Sequence, residues 1–149
     1  MFSLEASHEF NAPSAAVWDY LQDFGHIDRW WPRDAQTIKI ERIELEGSGV
    51  GMLRHIYNAG MPMAVTERLD ALDAVQKTIK ISIVGDRPGG LTWYEAFGKL
   101  VDLPGGRCRL DYRGEFTTQS NLPDDARGFL GEAYRLMFVG LSEALARDA

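Results

Sequence analysis

PDDARGFLGEAYRLMFVGLSEALAR, residues Pro123 to Arg147, is the stretch whose reading decides the fold. Leu130, Ala133, Tyr134, Met137, Phe138, Leu141 and Leu145 recur in steps of three and four, so they share one face of a helix. Glu132, Arg135, Ser142, Glu143 and Arg147 fall largely on the opposite face. Pro123 suits a first helical position, and Asp124 and Asp125 place negative charge at the positive end of the helix dipole. The spacing therefore predicts a long C-terminal helix with one wet side. At 1.5 Å per residue it runs roughly 37 Å, about the length of a ten-residue strand.

Upstream, the chain reads mostly as strands of that length. Phe2 to Phe10 alternates, with Leu4, Ala6, His8 and Phe10 on one side and Glu5, Ser7 and Glu9 on the other. Asn11-Ala12-Pro13-Ser14 breaks this strand and supplies Ser14 as the cap of a short helix carrying Val17, Trp18 and Leu21 inward. A second short helical stretch from Phe24 to Trp31 ends before Pro32. Six further strands are predicted: Thr37 to Leu45, Met52 to Tyr57, Met63 to Leu69, Lys77 to Val84, Leu91 to Leu103 and Arg107 to Thr117. Turn chemistry separates them, as in Gly47-Ser48-Gly49, Asn58-Ala59-Gly60, Pro88-Gly89-Gly90 and Pro104-Gly105-Gly106. Short turns favour antiparallel neighbours, so these strands should form one meander.

Seven strands at ~4.8 Å make a sheet roughly 30 Å wide, whereas one helix covers only ~10–12 Å. The sheet must curl around the helix, and a cavity remains wherever large side chains do not fill the gap. The expected fold is α+β: a seven-stranded curved antiparallel sheet gripping a long C-terminal helix, with two short helices after the first strand. With 149 residues the chain is most simply one domain, residues 1–149.

Composition narrows the partners. A net charge of -6 without any Lys/Arg cluster argues against nucleic acid and anionic lipid surfaces. No apolar run approaches the ~20 residues of a membrane span, and the N-terminus lacks a basic and an apolar region, so the expectation is a cytoplasmic protein without membrane insertion. A homodimer is left open. The single Cys108 excludes an internal disulfide. His8, His26 and His55 lack metal-ligand spacing, and no metal or other cofactor is expected. Gly47-Ser48-Gly49-Val50-Gly51 precedes a strand rather than a helix, so it forms no phosphate cradle. No Gly-x-Ser-x-Gly elbow occurs, and redox or nucleophilic catalysis has no support.

Phe10-Asn11-Ala12-Pro13-Ser14-Ala15-Ala16-Val17-Trp18, followed by Leu21 and Asp23-Phe24, resembles the opening of the START/Bet v 1-like (SRPBCC) superfamily, particularly its polyketide cyclase/dehydrase-type members. The order strand, two short helices, six strands, long helix is similar to that superfamily's helix-grip fold. Val50-Gly51-Met52-Leu53-Arg54, Ala59-Gly60-Met61-Pro62 and Thr66-Glu67-Arg68-Leu69-Asp70 further resemble the middle of the plant abscisic acid receptors. That resemblance implies a pocket for a hydrophobic ligand, with Gly60-Met61-Pro62-Met63 as a gate and Val84-Gly85 to Leu91 as a latch. The latch here reads Asp86-Arg87-Pro88-Gly89-Gly90-Leu91, without the receptors' histidine, arginine and leucine, so abscisic acid is not the expected ligand.

The candidate ligand-binding residues are Arg54, Ile56, Met61, Pro62, Val65, Glu67, Ile81, Ile83, Tyr94, Arg113, Tyr134, Met137 and Phe138. Alternation puts Arg54 with Ile56 and Glu67 with Val65, so a guanidinium and a carboxylate enter an apolar cavity together or form a cross-strand salt bridge serving stability. On the last strand burial would turn Tyr112 and Phe116 inward, whereas the resemblance turns Arg113 inward. It likewise favours Tyr94 over Trp93. In Trp30-Trp31 one ring should pack on the core and the other sit at the cavity mouth or in a protein contact. The expected function is binding of a small hydrophobic or amphipathic molecule, polyketide-like, aromatic or lipid-like, with catalysis left open. One alternative is a cyclase or dehydratase in which Glu67, Arg113 or Tyr94 acts as acid or base. Another is an interaction module, a co-chaperone or a partner of quinone pathways.

Overall fold

The computed structural model describes all residues from Met1 to Ala149. Seven strands are present: β1 Phe2–Phe10, β2 Ile40–Glu46, β3 Leu53–Asn58, β4 Val65–Asp73, β5 Thr78–Ile83, β6 Leu91–Leu103 and β7 Arg107–Thr118. They form one antiparallel sheet in the order β1-β7-β6-β5-β4-β3-β2. Strands β2 to β7 make the expected meander, and β1 closes on β7 with Phe2 opposite Phe116 and Phe10 opposite Cys108. The sheet stays open between β1 and β2. Across that opening run helix α1 (Ser14–Gln22) and a kinked pair of 3₁₀ turns (Phe24–Arg29), which plug it with Val17, Trp18, Leu21, Phe24 and Ile27.

Helix α2, Asp124–Arg147, lies in the concave face and buries Leu130, Tyr134, Met137, Leu141 and Ala144. Its periodicity is the one read from the sequence. The facing sheet positions alternate inward as Cys108, Leu110, Gly114 and Phe116 on β7, and as Tyr94, Ala96 and Leu100 on β6. This is the α+β helix-grip architecture.

Three local expectations are corrected. Ser14 is not the cap of α1: Pro13 holds that position, and the Ser14 hydroxyl donates instead to Asp102 of β6. The second short helix is 3₁₀ and ends at Arg29, with His26 at a kink. Thr37 to Lys39 do not join β2. Thr37 donates to Glu132 of α2 and Ile38 packs with Ala35 and Leu136, so these two are tied to the helix, while the Lys39 carbonyl accepts from Ala59 N–H at 2.8 Å and leads into the sheet edge.

Candidate functional site

Between α2 and the strands β3 to β7 the packing leaves a hollow of about 90 Å³. Strand alternation supplies its floor: Arg54, Ile56 and Asn58 from β3, Val65 and Glu67 from β4, Ile83, Tyr94 and Tyr112. The helix supplies the roof with Phe129, Leu130, Ala133, Tyr134 and Met137, successive members of its inward face. Ile27, Trp30, Trp31, Ile38 and Ile40 close the mouth. Fifteen of the eighteen lining residues are hydrophobic, so each polar atom among them calls for a partner.

Arg54 is almost wholly buried and fully engaged. Its Nε donates to Glu67 Oε1 at 2.9 Å, its Nη2 lies 2.9 Å from the same oxygen, its Nη1 donates to the Phe24 carbonyl at 2.9 Å, and its guanidinium lies 4.0 Å over the Phe24 ring. The pair is thus a brace between the plug and the sheet. Both of Arg54's contacts with Glu67 end on Oε1, which leaves Oε2 for another group.

Beside Glu67 stand Tyr94, Tyr112 and Tyr134. Tyr94 and Tyr134 share a hydrogen bond of 2.6 Å, in which either hydroxyl can donate. Whichever does, one phenol proton is left over for a third group. The Tyr112 and Tyr134 rings meet edge to face at 5.0 Å. Burial, first, and also the Glu67 carboxylate hold all three hydroxyls above the ordinary tyrosine range; neighbouring phenols add to this at Tyr94 and Tyr112, whereas at Tyr134 the hydrogen bond with Tyr94 works against it. Near neutral pH they are therefore donors, not bases. Two glycines make the room: a Cβ on Gly114 would overlap the Tyr134 hydroxyl, and one on Gly98 would come within 3.0 Å of the Tyr112 ring.

The structure brings Arg54, Ile56, Val65, Glu67, Ile83, Tyr94, Tyr134 and Met137 to the cavity wall. Five other candidates lie elsewhere. Arg113 points outward to Glu5 and Glu115, because the Tyr112–Phe116 phase of β7 faces in. Phe138 turns past the hollow to stack on His8, ring centroids 5.3 Å apart. Ile81 is sealed in the packed floor, opposite Leu69 and Ala96 in register. Met61 packs behind Asn58 rather than on the cavity, and Pro62 is exposed. Of the Trp30-Trp31 pair, Trp30 is buried and Trp31 half-buried, and both border the mouth, with Trp31 Nε1 donating to the Ile38 carbonyl at 2.9 Å.

Among residues not singled out from the sequence, Asn58 was within reach, since it continues the inward phase of Arg54 and Ile56. Gly98 and Gly114, glycines inside strands, were the available sign that something bulky approaches the sheet. Ile38 and Phe129 carried no such signal. No group of three or more His, Cys, Asp or Glu side chains is disposed to hold a metal ion, and no helix is long and apolar enough to cross a membrane.

Comparison with known proteins places this geometry. The family model described as polyketide cyclase / dehydrase and lipid transport matches residues 1–147, and the chain belongs to that family. No curated protein sequence matches it. Among solved structures, norcoclaurine synthase from Thalictrum flavum, in complex with dopamine and hydroxybenzaldehyde, superposes with a TM-score of 0.81 at 16% identity, over 99% of this chain and 88% of that one. The protein XoxI from Bacillus cereus does so at 0.80 and 20% identity, over 97% and 95%. A protein from Thermobifida fusca reaches 0.75 at 28% identity, over 98% and 91%. These likenesses establish the helix-grip, Bet v 1-like fold.

Proposed function

We propose that the chain binds a small aromatic or polyketide-like molecule in this cavity, with a carbonyl or hydroxyl of the ligand against the phenols of Tyr112 and Tyr134 beside Glu67. The observation that carries this reading is the pairing of an apolar hollow with a phenol proton that has no protein acceptor. Such a site suits a flat apolar body with one oxygen. The family's description and the dopamine and hydroxybenzaldehyde bound by norcoclaurine synthase are in keeping with it.

A hollow of about 90 Å³ is smaller than the ~300 Å³ at which small-molecule sites begin, so binding requires the walls to part. The mouth is the wall able to yield, since Trp31 and the following residues to Lys39 are irregular and a single side-chain hydrogen bond, from Thr37 to Glu132, ties them to α2. Titration with 6-methoxy-2-acetylnaphthalene should therefore change tryptophan emission and saturate at one site. Tyr112→Phe should weaken that binding about tenfold, the worth of one hydrogen bond of ~1.4 kcal/mol, while thermal stability changes little. Saturable binding with equal affinity in wild type and Tyr112→Phe would place the oxygen elsewhere; no binding would remove the reading.

A second reading is favoured by the free Glu67 Oε2 beside the phenols. In a cyclase or dehydratase, Glu67 would take a proton from the carbon next to a ligand carbonyl, and the electron pair would move onto the carbonyl oxygen, held there by phenol protons. Deuterium exchange into the acetyl methyl of the same probe in D₂O, followed by NMR, tests it. Acceleration by wild type that is lost in Glu67→Gln supports catalysis, whereas exchange no faster than in buffer leaves binding alone.

A further inference from the structure

The side-chain carbonyl of Asn58 is the one polar atom of the cavity lining that is both buried and without a hydrogen-bond partner. Asn58 is 6% exposed. It closes β3, opposite Ile40 in register, and its backbone is spoken for by the turn that follows, where Met61 N–H donates to the Asn58 carbonyl at 3.2 Å. Its amide Nδ2 lies 3.6 Å from the Met61 sulfur. A thioether accepts and cannot donate, so the NH₂ must be the end facing Met61 and the oxygen the end left over. The Arg54–Glu67 pair lies four residues away on the same strand face, about 13 Å, too far to serve it. Trp31, at the mouth, already gives its Nε1–H to Ile38.

An apolar side chain at this position would leave nothing unpaired, so the free protein holds an acceptor it does not use. We infer that Asn58 orients the ligand, accepting a hydrogen bond from a hydroxyl or N–H at the mouth end, so that the cavity selects molecules polar at both ends: an oxygen toward the tyrosines and a donor toward Asn58. The inference rests on the binding proposed above and narrows it to a ligand class, for which hydroxylated aromatic ketones are the simplest representatives. It also gives Met61 a task, since its sulfur fixes which end of the amide faces the ligand. The competing occupant is water, which like the ligand reaches this buried oxygen once the walls part.

The test compares 6-hydroxy-2-acetylnaphthalene with its 6-methoxy ether on wild type, Asn58→Leu and Asn58→Ala. Wild type should prefer the hydroxy probe at least tenfold, and in both variants the preference should fall to about one. Without probe, Asn58→Leu should melt a few degrees higher than wild type, because the unpaired acceptor is gone. The alanine variant keeps the test alive should leucine overfill the site. The same preference in wild type and both variants, or none in wild type, overturns the role of Asn58 while the cavity reading stands; such a result means water satisfies the amide. Failure of either probe to bind wild type overturns both.

Discussion

From Phe129 to Met137 helix α2 roofs a hollow, whereas from Gly140 to Arg147 the same helix packs solidly on α1 and on the mouth segment. In the solid half Leu141 and Ala144 have no exposed surface, and a Cβ on Gly140 would overlap the Trp30 carbonyl and come 2.7 Å from Pro32 Cδ. In the hollow half Phe129, Ala133 and Met137 border empty space, and Tyr134 turns its hydroxyl to a partner rather than to a packed wall. Both halves carry the same three-and-four apolar spacing. One periodicity thus serves two ends: the second half holds the helix in place, and the first is freed from close packing and can shape a site.

The largest effect expected of this division comes from ending the chain at Val139. Losing Leu141, Ala144 and Leu145 exposes α1 and should abolish cooperative unfolding, as read by circular dichroism during heating. Next, Leu141→Ala should cost about 3–5 kcal/mol, because close neighbours cannot collapse into the space, whereas Met137→Ala, beside an existing void, should cost about 1–2 kcal/mol. Equal losses in chemical denaturation would erase the distinction between the halves.

Glu67→Gln should destabilise the free protein by about 2–3 kcal/mol. Arg54 keeps the Phe24 carbonyl and an amide oxygen but loses its counter-charge. A change below about 0.5 kcal/mol would mean that the brace between plug and sheet carries no weight.

The smallest effect concerns the mouth. Hydrogen bonds from Arg135, first, and Thr37 hold the Glu132 carboxyl down at about 2, from an ordinary 4.5. A depressed folded-state value means that its contribution is complete above about pH 4.5 and is lost as pH falls toward 2. Because this half-buried carboxylate lies at the surface against an exposed Arg135, where water screens the pair, the change in global stability should be slight. Glu132→Gln should instead speed amide exchange locally, in residues 33 to 39, near neutral pH, while the segment from Gly140 onward exchanges as before. Unchanged exchange in both would show that the mouth is held by Ile38 and Trp31 packing alone.

The architecture could be read from the sequence because it follows from periods and turns: the period of α2, the alternation along β1, β3 and β7, and the glycine-rich breaks. Arg54 and Glu67 were legible for the same reason, being polar residues on an inward phase. Arg113 was misplaced when likeness to another family was set above the burial of Tyr112 and Phe116 on the alternate phase. Phe138 shares the apolar stripe of Met137 but sits one residue, ~100°, further round, enough to move it from the hollow to His8. Thr37 to Lys39 looked like strand because β-branched residues suit one. Their bonds to Glu132 and Leu136 are long-range and leave no local trace. The hollow itself is a difference between two packed surfaces, a quantity no local pattern contains.

The bare Cα of Gly114 beneath the Tyr134 hydroxyl has a consequence for descent. The two positions lie on different elements, yet only one of them can carry bulk at that point. A lineage that acquires alanine or serine at 114 must first, or at the same time, trade Tyr134 for phenylalanine or something smaller, and the reverse path opens only after the strand returns to glycine. Substitutions at these two sites should therefore be inherited as a pair, and chemistry that depends on the third phenol should be gained or lost through a change at a glycine that itself never touches the ligand.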